Sequence, residues 1–247
     1  MRDVVYHQYA ASFESHWWTD HRRAVVSSWL AKVGVKPDGT HPVLEIGCGA
    51  GTEHRYLSSF GPVTGVEISP VGLEFCRQRG YSRLIEGDLN VVELPSEQFD
   101  VAVDFHVLYH EWVKDPGAVL KKMHRALKPG GHLVMTETAF EALRRGHDDA
   151  VMAARRWTRS QLIQLVTSAG FEVQRSSAYL TLMLPAVLLS LLIDKLRPSH
   201  EEVDELKGPG PLVDKALRSV MWLERLLMRI APLPVGTSWV LLARRSS

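Results

Sequence analysis

The chain has 247 residues, 45% hydrophobic and 23% charged, the balance of a soluble globular protein with a full core. Lys and Arg total 29 against 28 Asp and Glu, a formal net charge of +1, so no whole-surface attraction to nucleic acid exists and none is expected as a partner. Two cysteines, Cys48 and Cys76, are too few for a disulfide framework, and residues 1–15 lack a secretory apolar stretch, so a reducing, cytoplasmic location is expected.

In chain order, a helical preface is predicted over 1–36. Within it, near-helical spacing over 6–32 groups Trp17, Trp18, Val25, Val26, Trp29 and Leu30, and Pro37-Asp38-Gly39 ends it. A buried strand at 43–46 runs into Gly47-Cys48-Gly49-Ala50-Gly51 and then a helix over 52–59. The alternation continues with a strand at 63–68, a helix at 71–79, a strand at 82–86, a strand at 99–105 and a helix at 116–127. Lys128-Pro129-Gly130-Gly131 turns sharply into a strand at 132–137. A helix at 160–169, stopped by Gly170, precedes a strand at 171–177. Repeated strand-then-helix order predicts an α/β doubly wound, mainly parallel sheet.

The stretch 176–193 carries no charge and touches the lower length limit for a bilayer span. Three serines, further hydroxyl groups and Pro185 favour a buried strand plus helix over a membrane span, with peripheral membrane contact as the remaining lipid reading. Helices at 184–196 and 212–230 form an insertion or lid over 184–236. Leu212, Ala216, Val220, Leu223, Leu227 and Ile230 keep to one stripe, expected to lie on a core or a partner. A strand at 238–243 closes the pattern.

Glycine is needed where backbone turns sharply and approaches a ligand closely. The spacing here is G-x-G-x-G, distinct from the G-x-G-x-x-G of dinucleotide sites. A strand-end carboxylate at Val66-Glu67-Ile68 is able to accept two hydrogen bonds from ribose hydroxyls, although alone it reads as a simple cap. With Glu86-Gly87-Asp88-Leu89, the stretch 99–110 and Leu127-Lys128-Pro129-Gly130-Gly131, these residues resemble class I S-adenosylmethionine-dependent methyltransferases over about 42–173.

The resemblance implies a seven-stranded sheet of order 3-2-1-4-5-7-6, its last strand antiparallel. It implies S-adenosyl-L-methionine as cofactor and S-adenosyl-L-homocysteine as product; no His, Cys and carboxylate grouping has zinc-like spacing, so no metal is expected. It assigns Glu45, Gly47, Cys48, Gly49 and Gly51 to the cofactor turn and Glu67 with Ile68 to the ribose. Asp88 would accept from the adenine amine while Leu89 packs on the ring. The carbonyl of Phe105 would meet the methionine ammonium, and Arg22, sharing a helical face with Trp18, the cofactor carboxylate. Cys48 reads as a small space-filler.

Two long connections, 138–158 and 184–236, leave the carboxyl edge of the sheet and are expected to shape the acceptor pocket. The first resembles a subgroup with a histidine–aspartate pair followed by an arginine–aromatic pair, but Ala153-Ala154 stand where that subgroup has another histidine. Methyl transfer is an in-line displacement helped chiefly by positioning, and an oxygen or nitrogen acceptor must also lose a proton. The candidate bases are His147, oriented by Asp148, then His106 and His110. Arg144, Arg145, Arg155, Arg156 and Arg159 point to an acidic or phosphate-bearing acceptor or, equally, to a solvated charge run. The expected activity is methylation of a small-molecule acceptor at oxygen, by a monomer or homodimer. Other readings are nitrogen or carbon methylation, a peptide or lipid-linked acceptor, a nucleotide-dependent oxidoreductase, and a non-catalytic cofactor-binding subunit.

Overall fold

Seven strands form one sheet because their apolar side chains alternate between two covered faces. Along β1 (Val43–Ile46), Val43 joins one core cluster while Leu44 and Ile46 join the other. The same alternation runs through β5 (Leu127–Thr138) and β7 (Ser238–Arg245), where Val134, Val240 and Leu242 face one side and Leu133, Met135 and Leu241 the other. A computed structural model describes residues 6, 7, 10, 14–144, 148, 151–196 and 210–246.

The preface forms α1 (Trp17–Lys32), and the chain turns at Glu14 and Ser15 before it, so the predicted helical stretch is interrupted there. His16 Nδ1 caps its first turn by accepting from the Trp18 N–H. After β1 comes α2 (His54–Leu57), four residues where eight were predicted. Ser58 and Ser59 end it early, their hydroxyls donating to the carbonyls of Arg55 and Tyr56. There follow β2 (Val63–Glu67), α3 (Pro70–Arg79), β3 (Arg83–Glu86), β4 (Phe99–Phe105) and α4 (Pro116–Ala126). Both longer helices start on a side-chain cap followed by proline, Ser69-Pro70 and Asp115-Pro116.

Beyond β5 and a 3-10 turn (Glu141–Leu143) come α5 (Arg159–Ser168), capped reciprocally by Thr158 and Gln161, and β6 (Phe171–Tyr179). Then α6 (Leu184–Leu196) and α7 (Pro211–Ile230) precede β7. The strand order is 3-2-1-4-5-7-6, with β7 antiparallel to both β5 and β6. Helices α4 and α5 cover one face of the sheet, and α1 with Met228 of α7 covers the other. No helix among the described residues is long and apolar enough to cross a membrane.

Of the two expectations for the α7 stripe, a core or a partner, the core is overturned. The helix docks through Met221, Glu224 and Met228, while Leu212, Leu223, Leu227 and Ile230 are exposed. The side chain that fixes its rotation is polar. Buried Glu224 accepts from the backbone N–H groups of Leu180 (2.6 Å) and Leu182 (2.9 Å), and lies 3.0 Å from His21 Nε2 of α1.

Candidate active site

The carboxyl ends of β1, β2, β4, β5 and β6 and the start of β7 border one cavity of about 770 Å³, which reaches α1 on one side and α6 and α7 on another. Its floor is the glycine turn. Gly47, Gly49 and Gly51 have φ of 58°, 56° and 71°, a region costly for residues with a Cβ. A Cβ on Gly47 would lie 2.7 Å from the Val107 side chain. On Gly49 it would meet only the Gly47 carbonyl oxygen, at 3.9 Å, so the backbone there stays open to a ligand. Hydrogen bonds from Cys48 N to Val66 O and from Gly51 N to Cys48 O hold the turn. Cys48 and Cys76 are free, buried thiols 3.5 Å apart, and burial with this contact pushes the Cys48 thiol up.

Glu67 ends β2 beneath this turn. Its Oε1 accepts from Tyr6 Oη, Ile68 N and Ser69 N, and its Oε2 accepts from Gly49 N at 2.8 Å. Oε2 thus retains acceptor capacity for one ribose hydroxyl. Tyr6, which sequence reasoning left out of the site, caps the carboxylate and lines the cavity. Asp88 Oδ1 is used by Asn90, in a local Asx turn, beside buried Leu89. Glu45 accepts from Tyr81 Oη at 2.6 Å, and burial raises its pKa to about 8.

Arg22 reaches the same cavity from α1. Its guanidinium lies 4.6 Å from the ring centres of both Trp18 and Phe105, and it donates to Glu53 at 2.6 Å. Arg23 donates to the same carboxylate and pairs with Asp20 at 3.7 Å, and burial raises the pKa of neighbouring Glu45. Arg22 Nε is buried without a partner. An orphaned guanidinium donor at the cavity wall fits the carboxylate of an amino-acid-bearing cofactor. The open glycine turn and the free capacity of Glu67 fit its nucleoside.

Past Phe105 the backbone bends through His106, whose φ of 61° is unusual for a non-glycine residue. Two buried carboxyl groups impose this bend. Asp104 accepts from Val107 N, and Glu137 accepts from Leu108 N and Trp157 Nε1. Asp104 Oδ2 is buried with no hydrogen-bond partner, and Glu137 is its acidic neighbour. Burial raises Asp104 to about 7 and Glu137 well above the carboxylate range. His106 Nε2 lies 2.8 Å from Tyr179 Oη, and burial, with Arg22 nearby, holds the imidazole well below its usual pKa. His110 is stacked between Tyr109 and Trp112, its Nδ1 unpartnered, and burial lowers it to about 3.

His147 lies outside the described residues. Asp148 is buried and accepts two hydrogen bonds from Arg156, which also donates to Ala139 O. The other described arginines of this loop are likewise structural. Arg155 donates to the carbonyls of Leu108, His110 and Val113, Arg144 to Glu141 and Ala153 O, and Arg159 to Ser176. Arg155 staples the loop to the bend after β4, and these contacts correct the solvated-run reading, while Arg156 with Asp148 also lines the cavity. Among the described residues no three His, Cys, Asp or Glu side chains are grouped to hold a metal ion.

Comparison with known proteins agrees with this geometry. A family profile described as a methyltransferase domain matches residues 44–135, the segment holding the glycine turn, Glu67, Asp88 and the bend after β4. A malonyl-[acyl-carrier protein] O-methyltransferase of Pseudescherichia vulneris is 29% identical over 167 residues, 65% of this chain and 64% of that protein. The chain thus spans just under two thirds of that curated relative. Among solved structures, a SAM-dependent methyltransferase, possible histamine N-methyltransferase, from Thermotoga maritima superposes with a TM-score of 0.55 at 23% identity, covering 98% of this chain and 99% of that one. The 1,6-didemethyltoxoflavin-N1-methyltransferase of Burkholderia thailandensis superposes with a TM-score of 0.53 at 18% identity, covering 93% and 81%. These structures share the fold. Residues 44–135 thus match a methyltransferase domain, and the strand order with the glycine turn is that of the class I S-adenosylmethionine-dependent methyltransferase fold.

Proposed function

We propose that the chain transfers a methyl group from S-adenosylmethionine to an oxygen atom of a small-molecule acceptor. The observation that carries this reading is one cavity joining the glycine turn, Glu67 and Arg22 to the His106–Tyr179 pair. Bound over the turn, the cofactor supplies a methyl group on positively charged sulfur, already activated for displacement. Glu67 Oε2 takes a ribose hydroxyl, Asp88 the adenine amine and the Arg22 guanidinium the carboxylate. The Phe105 carbonyl takes the ammonium.

His106 supplies a nitrogen that stays unprotonated near neutral pH. In the tautomer whose Nε2–H donates to Tyr179, its Nδ1 is left to receive the acceptor's proton. Met183, Val187 and Leu217 at the far wall exclude water and favour an acceptor with apolar surface. The O-methyltransferase relative supports oxygen as the acceptor atom.

The test is transfer of labelled methyl to a panel of phenols, sugars, carboxylic acids, amines and peptides. Oxygen acceptors are expected to be labelled, and His106→Gln to lower kcat by about a hundredfold or more with cofactor affinity kept. Labelling of amines alone would move the acceptor atom to nitrogen. If His147→Ala rather than His106→Gln abolishes turnover, the proton goes to His147. Absence of both transfer and cofactor binding would refute the reading entirely.

A further inference from the structure

We propose that the outer face of the α6–α7 lid docks on an anionic lipid bilayer surface. Ten of the thirteen exposed large hydrophobic residues described in the chain lie on these two helices. On α6 they are Leu188, Leu189, Leu192 and Ile193, each at least half exposed, in a stretch, 184–193, that has no charged residue. On α7, Leu212 and Ile230 are 84% and 83% exposed, and Leu223 and Leu227 lie on the same helical face between them. The apolar surface of α7 is therefore wider than the chain covers. Met221 and Met228 serve the core, and the stripe beside them is left open. Soluble proteins seldom expose an apolar patch of this kind without a partner for it.

Charge selects the occupant. Lys215, Trp222 and Arg229 stand seven residues apart and share the next flank of α7, all exposed. The acids of α7 are both engaged, Asp214 with Arg218 and Glu224 in the interior. An apolar face flanked by cations and an interfacial tryptophan is the arrangement of a helix lying in the plane of an anionic interface. A second copy of the chain fits less well. A twofold contact through this face would bring the same cations together. The inner sides of the two helices line the reaction cavity through Val187 and Leu217, beside Met183 just before α6, so the docked surface and the cavity share a wall.

The experiment sediments the full chain with phosphatidylglycerol-containing vesicles and with phosphatidylcholine vesicles, at low and high salt. Wild type should sediment with the anionic vesicles, less with the zwitterionic ones, and less at high salt. The sequence between the helices carries Glu201, Glu202, Asp204 and Glu205 with Arg197 and Lys207, so the anionic preference weighs the cations of α7 against a net excess of two acids there. The double variant Leu223→Glu/Leu227→Glu alters exposed positions only. It should weaken vesicle binding by about tenfold or more while cofactor affinity, read by calorimetry, stays that of wild type. No sedimentation above the vesicle-free control overturns the proposal, as does equal sedimentation of the variant. A wild-type dimer in light scattering that the variant dissolves, without vesicle binding, also overturns it and assigns the face to a second copy.

Discussion

Arg22 is fixed before any ligand arrives, between two aromatic rings and against Glu53, with its Nε–H still unspent. Replacing it by glutamine removes the guanidinium charge and its free donor. Arg23 continues to satisfy Glu53, so the local fold survives. Loss of a hydrogen bond to a charged group costs about 1.5–3 kcal/mol, so the dissociation constant for S-adenosylhomocysteine should rise roughly tenfold to a hundredfold. Calorimetry on Arg22→Gln checks this, and unchanged affinity would assign Arg22 to the fold alone. A second residue-scale consequence concerns Asp104 and Glu137. The folded pKa of Asp104, about 7, stands above its ordinary 3.8, so the folded chain keeps a proton that the unfolded chain releases. The contribution to stability is then complete below the ordinary value and is lost as pH rises through about 7. Asp104→Asn donates to Glu137 without needing that proton. The buried histidines titrate alike in both proteins, so the wild-type urea midpoint should fall relative to that of the variant as pH rises across this range.

Among the elements, α7 shows how a lid is fastened. Glu224 joins it at once to α1 through His21 and to the turn after β6 through two backbone N–H groups. Glu224→Ala would strand these buried donors at a cost of about 3–5 kcal/mol, lowering the melting temperature by roughly 6–20 °C at 2–4 °C per kcal/mol. A melt within about 2 °C of wild type would show that water replaces the carboxylate. This contact also marks where the sequence stops being legible. Apolar periodicity on α7 was correct about helix and period, yet it named the solvent face, because the docking face carries a glutamate that periodicity scores as polar. The strands were legible because β1, β4 and β7 are buried along nearly their whole length and read as apolar runs. The loop arginines were not, since their partners are main-chain carbonyls that no side-chain pattern announces. Tyr6 was missed for a like reason, as its partner Glu67 lies across the fold.

For the whole molecule, the sheet edge supplies the floor of the cavity, while α1, Tyr6 and the lid helices supply its walls. Ligand binding should therefore stabilise the assembly as a unit. A ligand at a hundred times its dissociation constant adds about 2.7 kcal/mol, which for a chain of this size is roughly 5–10 °C in melting temperature. S-adenosylhomocysteine should raise the melt of wild type by this amount, and adenosine, lacking the carboxylate that Arg22 would meet, should raise it less at equal concentration. Tyr6→Phe separates the contribution of the preface. Without the hydroxyl, Glu67 Oε1 keeps two backbone donors, so the unliganded melt should move by only about 1 kcal/mol or less, the net worth of one hydrogen bond. The ligand-induced increase should shrink, because the ring no longer anchors the carboxylate beneath the bound nucleoside. An equal increase in wild type and Tyr6→Phe would show that the preface covers the cleft without contributing to binding, and that the glycine turn, Glu67 and Arg22 suffice.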